Sequence, residues 1–297
     1  MSTSASRMVR LRRHAKTEGR PVAEILQYYA MERFLYRLGQ SEHASSFVLK
    51  GAVMLRVWDA KSARSTRDID FLAFGDNELD QVTQRLREVC DLLVPEDGIS
   101  FAADSFKAER IKEGDDYQGA RIRFVALLEN ARIQMQIDLG FGDVVHPEIL
   151  WADFPTLLGD PMPRIRHYSR ETVIAEKVQA MAKLKELNSR MKDFHDLRHL
   201  SRLYPFRLDV LSQAIAKTFA ARKTMVTTEL VIGQPEYIAT HQAMWKAFLT
   251  KQGDNTAPED FRIIAQELKV FLIPALDAAV GGLGSELVWN PIARIWE

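Results

Sequence analysis

Apolar residues recur every three or four positions along much of the chain, and this spacing predicts α-helices. The first predicted helix covers 21–40, where Pro21 suits the first turn. Further helices are predicted after Lys50-Gly51-Ala52 and at 79–93, 169–187, 192–204, 208–221, 235–250 and 258–279. The second half of the chain is therefore predicted to be almost wholly helical.

Runs that are apolar throughout, or apolar at alternate positions, predict β-strands. They lie at 47–49, 68–74, 99–103, 121–128 and 132–139. The last two runs are separated only by Glu129-Asn130, which is short enough for a β-hairpin. Together the elements predict an α+β fold (mixed α/β), in which a mixed sheet with helices is followed by a helical C-terminal lobe.

A proline-rich break at 159–163 is the best candidate for a domain boundary. It predicts a basic N-terminal arm at 1–20, an α/β lobe at 21–160 and a helical lobe at 161–297. The arm carries six basic residues against one acidic residue and has no apolar stretch typical of a signal peptide. We favour a mobile, solvated tail, and the alternative is a basic arm that touches RNA or an acidic partner.

The composition excludes some classes of protein but does not indicate a function. The chain is 46% hydrophobic and 27% charged, which is typical of a soluble globular protein. Its 40 basic and 40 acidic residues give no overall charge that indicates nucleic acid or membrane binding. A single cysteine, Cys90, excludes an intramolecular disulfide framework, and no apolar run is long enough to span a membrane. We therefore expect a cytoplasmic protein.

Two aspartates, Asp68 and Asp70, begin one of the predicted strands with Ile69 between them. Residues two apart in a strand point to the same face, so the two carboxylates project together. Such a pair suits a hard divalent ion such as Mg²⁺, although Asp-x-Asp alone is common. Asp138 lies on the polar face of the strand at 132–139, where it is either a third carboxylate for a metal site or an exposed strand-end residue.

Three other features have both a structural and a functional interpretation. Lys50-Gly51 joins a strand to a helix start, which suits a phosphate but also occurs in plain tight turns. Lys177 falls on the apolar face of its helix, so it either extends to water or faces an anion such as phosphate. Asp193 lies on the buried face of the next helix with Asp196 at its edge, and either an internal ion pair or a functional role explains them.

Assembled in order, these segments resemble the AbiEii/AbiGii toxin family of nucleotidyltransferases, which have a DNA-polymerase-β-like nucleotidyltransferase lobe. The matching segments are 49–51, 64–70, 137–143, 174–177 and 190–197. Thr66 stands where the family often has Ser or Thr. The chain departs from the family at Gly51-Ala52-Val53, where many nucleotidyltransferases have Gly-Gly or Gly-Ser, so phosphate binding there would use backbone N–H groups alone.

The resemblance implies an enzyme that transfers a nucleotide from an NTP to an acceptor hydroxyl with Mg²⁺ as cofactor. It implies a toxin of a toxin–antitoxin pair with a place in phage defence, an AbiEi-like antitoxin encoded nearby, and the tRNA 3′ end as acceptor. Two alternatives stay open, which are nucleotidylation of a protein hydroxyl and a non-catalytic nucleotide- or RNA-binding module. Arg164, Arg166 and Arg170 are candidates to receive an RNA backbone.

The resemblance also assigns roles to residues by their motif positions. Asp68 and Asp70 would hold Mg²⁺, and Asp138 would complete the metal site or activate the attacking hydroxyl. Lys177 would neutralise phosphate charge, and Asp196 closes the C-terminal Asp-x-x-Asp motif that the family needs for activity. The implied nucleotide-binding residues are Lys50, Gly51, Thr66, Arg67, Lys177 and Asp193.

Overall fold

The structure is a computed structural model that describes residues 3–59, 65–112, 118–254, 256–281 and 286–297. Arg64, which belongs to one of the segments that resemble the family, lies outside the described residues, as do the first two residues of the basic arm. The chain forms two compact units. The first contains Met1–Gly142 and Ile149–His167, and the second contains Asp143–Glu148 and Tyr168–Glu297.

The first unit is a mixed sheet with helices. Its helices are α1 (Thr3–Glu18), α2 (Val22–Gln40), α3 (Leu55–Trp58) and α4 (Leu79–Asp91). Its strands are β1 (Phe47–Lys50), β2 (Asp68–Ala73), β3 (Ile99–Phe101), β4 (Lys107–Lys112), β5 (Gln118–Leu128), β6 (Ala131–Phe141), β7 (Leu150–Asp153) and β8 (Arg164–His167).

The described strands are ordered β3-β5-β6-β2-β1-β8-β7, and β4 also pairs with β5. Strand β2 runs parallel to β6, and β1 runs parallel to β8, whereas the other pairs are antiparallel. Leu128 pairs with Ala131 across Glu129-Asn130, which confirms the predicted hairpin. The predicted mixed sheet with helices is confirmed as well.

Helix α2 packs on the sheet through an aromatic cluster. The ring of Phe34 lies 6.2 Å from that of Phe101 on β3 and 5.9 Å from that of Phe124 on β5. Phe106 stacks on Phe124, with the two ring centroids 4.6 Å apart. The regular apolar spacing at 21–40 therefore marks a helix that covers the core, as such spacing predicts.

The interpretation of residues 1–20 as a mobile tail is wrong. Residues 3–18 form helix α1, which packs on α2 and buries Met8, Leu11 and Ala15. Arg7 forms an ion pair with Asp160 at 2.6 Å, and Arg10 donates a hydrogen bond to a backbone carbonyl of the same unit. The apolar face of α1 is narrow and is surrounded by many charged residues, so the sequence pattern did not predict this helix. A contact between this segment and RNA stays a prediction.

Strands β4, β7 and β8 are missing from the prediction. Each has only four to six residues, and charged side chains interrupt its apolar pattern, as in Arg164–His167. Their backbone pairing, rather than their apolar side chains, makes them strands. Strand β8 lies in the first compact unit and ends seven residues beyond the predicted boundary at 160, and the division into domains stays a prediction.

The second unit is mainly helical. It contains α5 (Arg170–Leu184), α6 (Met191–Leu203), α7 (Leu208–Ala221), α8 (Pro235–Gln252), α9 (Phe261–Gly281) and the short strands β9 (Phe206–Arg207), β10 (Val288–Asn290) and β11 (Ile295–Trp296). Ser169 caps α5 by accepting a hydrogen bond from the backbone N–H of Thr172. The small sheet β11-β10-β9 is absent from the prediction. Among the described helices, none has the length and apolar character that crossing a membrane requires.

Candidate functional site

Strands β2 and β6 place three aspartates on one face of the sheet. The two strands are parallel and adjacent, with Asp70 beside Asp138 and Asp68 beside Gln136. Ile69, between the two aspartates of β2, is fully buried on the opposite face. The structure therefore brings Asp68, Asp70 and Asp138 to the same side of neighbouring strands.

The carboxylate of Asp70 packs against the backbone of Gly51. A β-carbon built on Gly51 would lie 2.0 Å from Oδ2 of Asp70, and Gly51 has a φ of +72°. Both facts require glycine at this position. Lys50 is buried and is the register partner of Asp70 between β1 and β2. Lys50, Gly51 and Asp70 thus form one local cluster, and a 3₁₀ turn and the four-residue helix α3 follow it.

Arg121 is a member of the acidic face that the sequence reasoning missed. Its Nε and Nη2 donate hydrogen bonds of 2.8 and 2.7 Å to the two carboxylate oxygens of Asp138. These hydrogen bonds, together with the negative charges of Asp138 and Asp68, raise the pKa of Arg121. The two residues face each other across the β5–β6 hairpin, so their equal distances from the Glu129-Asn130 turn were a usable signal.

Carboxylate oxygens are the ligands that Mg²⁺ prefers, and Asp68 and Asp70 fit such an ion. Asp138 is less available as a metal ligand, because Arg121 donates hydrogen bonds to both of its oxygens and Gln136 donates a further one of 3.4 Å to Oδ2. Among the described residues, it is not the three aspartates but Glu42, His43 and Glu88 that bring three ligand atoms within 4.8 Å of one another. None of these three residues was predicted, and His43 already bonds to Glu88 at 2.7 Å.

The second unit contains a buried ion network around Lys177. Its ammonium donates hydrogen bonds of 2.8 Å to Asp193 and of 2.8 Å to Asp196, and both carboxylates are buried. Burial alone would raise the pKa of Asp193, but the charges of Lys177 and Arg190 outweigh it and lower that pKa. Of the two interpretations of Lys177, the structure shows that it faces anions, which are aspartates of α6.

Arg222 forms a further ion network in the second unit that the sequence reasoning missed. It lies just beyond the end of α7 and contacts Asp143 at 2.9 Å and Glu176 at 2.7 Å. Asp143 and Glu176 both belong to segments that carry the family resemblance. No spacing in the sequence links Arg222 to them, because the contacts depend on how α7 packs on α5.

Comparisons with known proteins identify a family for the chain and proteins with a similar fold. A family model described as nucleotidyl transferase AbiEii toxin, type IV TA system, matches residues 33–276. The nucleotidyltransferase toxin MenT4 (Rv2826c) from Mycobacterium tuberculosis H37Rv has a similar structure, with 16% identity, a TM-score of 0.50 and coverage of 92% of this chain and 98% of that one. JHP933 from Helicobacter pylori is similar at 13% identity and a TM-score of 0.52, with coverage of 88% and 98%. No curated sequence matches the chain.

Proposed function

Because the chain belongs to the AbiEii family of nucleotidyltransferase toxins of type IV toxin–antitoxin systems, we propose that it transfers a nucleotide from an NTP to the 3′ end of tRNA with Mg²⁺ as cofactor. Family membership gives the enzyme class, a nucleotide substrate and an antitoxin partner, whereas the ion, the acceptor, a cytoplasmic location and a role in phage defence belong to the proposal. The observation that supports this proposal most directly is that Asp68 and Asp70 lie on the same face of β2 and that the carboxylate of Asp70 packs against Gly51.

The reaction is an in-line displacement at the α-phosphorus of the NTP. A bond forms from the acceptor hydroxyl oxygen to that phosphorus, the bond to the β-phosphate bridge breaks, and pyrophosphate leaves while the hydroxyl proton passes to a base. Bound Mg²⁺ would neutralise charge on the phosphates. Asp68 and Asp70 would hold the ion, and Asp138, oriented by Arg121, is proposed as the third carboxylate of the site.

The remaining predicted residues would bind and orient the nucleotide. Lys50 and the backbone of Gly51 are proposed phosphate contacts, since Ala52 and Val53 offer no hydroxyl. Thr66 and Arg67 lead directly into the aspartates of β2 and are proposed nucleotide contacts.

In the second unit, Lys177 is proposed to neutralise phosphate charge. Asp193 and Asp196 would hold its ammonium in a fixed position, which lowers the entropy lost when substrate binds. Arg164, Arg166 and Arg170 stay proposed RNA contacts.

The test is incubation of the purified chain with each α-labelled NTP and either total tRNA or total protein. We expect label in tRNA, dependent on Mg²⁺ and absent with Lys177→Ala or Asp70→Asn. Label in protein instead would identify nucleotidylation of a protein hydroxyl. No label in either polymer, together with growth inhibition that survives Asp70→Ala, would contradict an enzyme and favour a binding module.

A further inference from the structure

The segment that leads into β2 lies outside the sheet. Residues 65–67 belong to no helix or strand, and Asp68 is the first residue of β2. A carboxylate that binds a metal must be held within about 0.5 Å of its working position. Because the strand begins only at Asp68, the backbone just before it needs another means of fixation.

Two neighbouring side chains of α2 supply that fixation. The amide Nε2 of Gln27 donates a hydrogen bond of 3.2 Å to the carbonyl of Arg67. The hydroxyl of Tyr28 accepts a hydrogen bond of 3.3 Å from the backbone N–H of Thr66. Both side chains are buried and the two hydrogen bonds are partly buried, which limits competition from water. They replace the ladder hydrogen bonds that residues 66 and 67 lack.

Gln27 also reaches the neighbouring strand. Its Nε2 lies 3.6 Å from Sδ of Met135 on β6, which immediately precedes the register partner of Asp68. Thioether sulfur is a weak hydrogen-bond acceptor, so this contact contributes little stabilisation and mainly helps to orient the Gln27 amide. One buried amide therefore contacts both the segment before Asp68 and the strand that carries Asp138.

Arg56 of α3 contacts the ring of Tyr28. Its guanidinium lies 4.0 Å from the ring centroid, a cation–π distance. The side chain is 6% exposed, and within the described part of the chain its Nε and Nη1 have no hydrogen-bond partner. Burying a cation in this way costs free energy that an apolar residue would not. Its contribution is therefore to hold Tyr28 rather than to stabilise the fold.

We propose that Gln27, Tyr28 and Arg56 are positioning residues that set the orientation of the Asp68 carboxylate toward Mg²⁺. The inference rests on the proposed function, because it assigns a use to the metal site on β2. None of the three residues needs to touch substrate or metal. They act through the backbone of Thr66 and Arg67, which carries their hydrogen bonds to the start of the strand.

The matched test is Tyr28→Phe against Tyr29→Phe. Tyr29 is the next residue of the same helix, is equally buried, and its hydroxyl donates a hydrogen bond of 2.6 Å to the carbonyl of Asp97. Each variant loses one buried hydroxyl bonded to backbone, but only Tyr28→Phe releases Thr66. Tyr28→Phe is expected to raise the Mg²⁺ concentration for half-maximal activity about 3- to 10-fold, which corresponds to one such bond. Tyr29→Phe should keep the wild-type value.

Two readouts do not depend on turnover. Mn²⁺ binding, followed by the electron paramagnetic resonance signal of the free ion, should weaken in Tyr28→Phe and in Gln27→Leu but not in Tyr29→Phe. Amide hydrogen exchange at residue 66 should accelerate in Tyr28→Phe but not in Tyr29→Phe. Arg56→Met should raise the melting temperature and yet weaken Mn²⁺ binding, a pair of opposite effects that a structural role would not produce.

Equal Mn²⁺ affinities in the wild type, Tyr28→Phe and Arg56→Met would overturn the inference. The Asp70→Asn variant separates this failure from failure of the proposed function. If Asp70→Asn loses Mn²⁺ binding and transfer while Tyr28→Phe behaves like Tyr29→Phe, only the positioning role is wrong. If Asp70→Asn keeps both properties, the metal site on β2 is wrong, and the positioning role with it.

Discussion

Gly51 is the residue whose replacement should affect the site most locally. Gly51→Ala would place a β-carbon 2.0 Å from Oδ2 of Asp70, so the carboxylate must move. We expect at least about a 10-fold loss of nucleotide transfer, because a misplacement of about 1 Å at a reacting centre costs roughly 100-fold. The assay compares rates of label transfer for folded variants.

Gly159→Ala is the matched control for this substitution. Gly159 has a φ of +73°, close to the +72° of Gly51, but a β-carbon there meets nothing within 4 Å. Both positions have a positive φ, a backbone conformation that strains an alanine in either variant. Only Gly51→Ala displaces Asp70. Equal activity of the two variants would contradict the contact between Gly51 and the site.

Glu32 of α2 should make the stability of the protein depend on pH. Burial raises the pKa of this carboxyl from 4.5 to about 8, although the charge of Arg33 and a hydrogen bond from the N–H of Leu157 oppose the rise. Between those pH values the folded chain keeps a proton that the unfolded chain has lost. The free energy of unfolding contributed by Glu32 therefore falls as pH rises from about 4.5 to about 8.

The Glu32→Gln variant tests this, since glutamine has nearly the same shape and does not titrate. In urea unfolding at pH 5.5, 7 and 8.5, the free energy of unfolding of the wild type should fall relative to that of Glu32→Gln as the pH rises. The total fall should be a few kcal/mol, because a shift of one pKa unit corresponds to about 1.4 kcal/mol. The same pH slope in both proteins would show that Glu32 titrates normally in the fold.

At the scale of elements, α5 and α6 are joined by the buried network of Lys177, Asp193 and Asp196. Lys177→Met removes the cation that the buried carboxylates of Asp193 and Asp196 share, and we expect it to lower the free energy of unfolding by about 3 to 5 kcal/mol. Lys183→Met, an exposed change on the same helix, should stay within about 0.5 kcal/mol of the wild type.

A triple variant separates folding from chemistry. Adding Asp193→Asn and Asp196→Asn to Lys177→Met removes the two buried negative charges that Lys177 neutralised, so stability should largely return. Transfer should stay absent, because the proposed cation is still missing. Restored transfer in the triple variant would assign the three residues a purely structural role.

The elements also show how far sequence reasoning reaches. The β5–β6 hairpin, the alternation along β6 and the Ser169 cap follow from local residue order, and all of them were predictable. Arg121 opposite Asp138 was available from the hairpin register, but the reasoning did not use it. Gln27 and Tyr28 were not predictable, because their contacts with residues 66 and 67 cross some 40 positions of chain. Helix α1 was hidden because three buried residues are few among its charges.

For the whole molecule, equal numbers of basic and acidic residues leave no overall field to attract RNA. Recognition of tRNA would therefore depend on local clusters such as Arg164 and Arg166 rather than on net charge. The family match at 33–276 extends over residues of both compact units. Family membership does not identify the residues of the site. The central claim is that the aspartates of β2 form the metal-dependent centre of nucleotide transfer.

The most direct measurement is Mg²⁺-dependent pyrophosphate release from NTP in the presence of total tRNA by the wild type, Asp70→Asn and Asp76→Asn. Asp76 lies exposed, three residues beyond the end of β2, and serves as the matched control. We predict that the wild type and Asp76→Asn release pyrophosphate at similar rates and that Asp70→Asn releases none above background. Release by Asp70→Asn at the rate of Asp76→Asn would contradict the account.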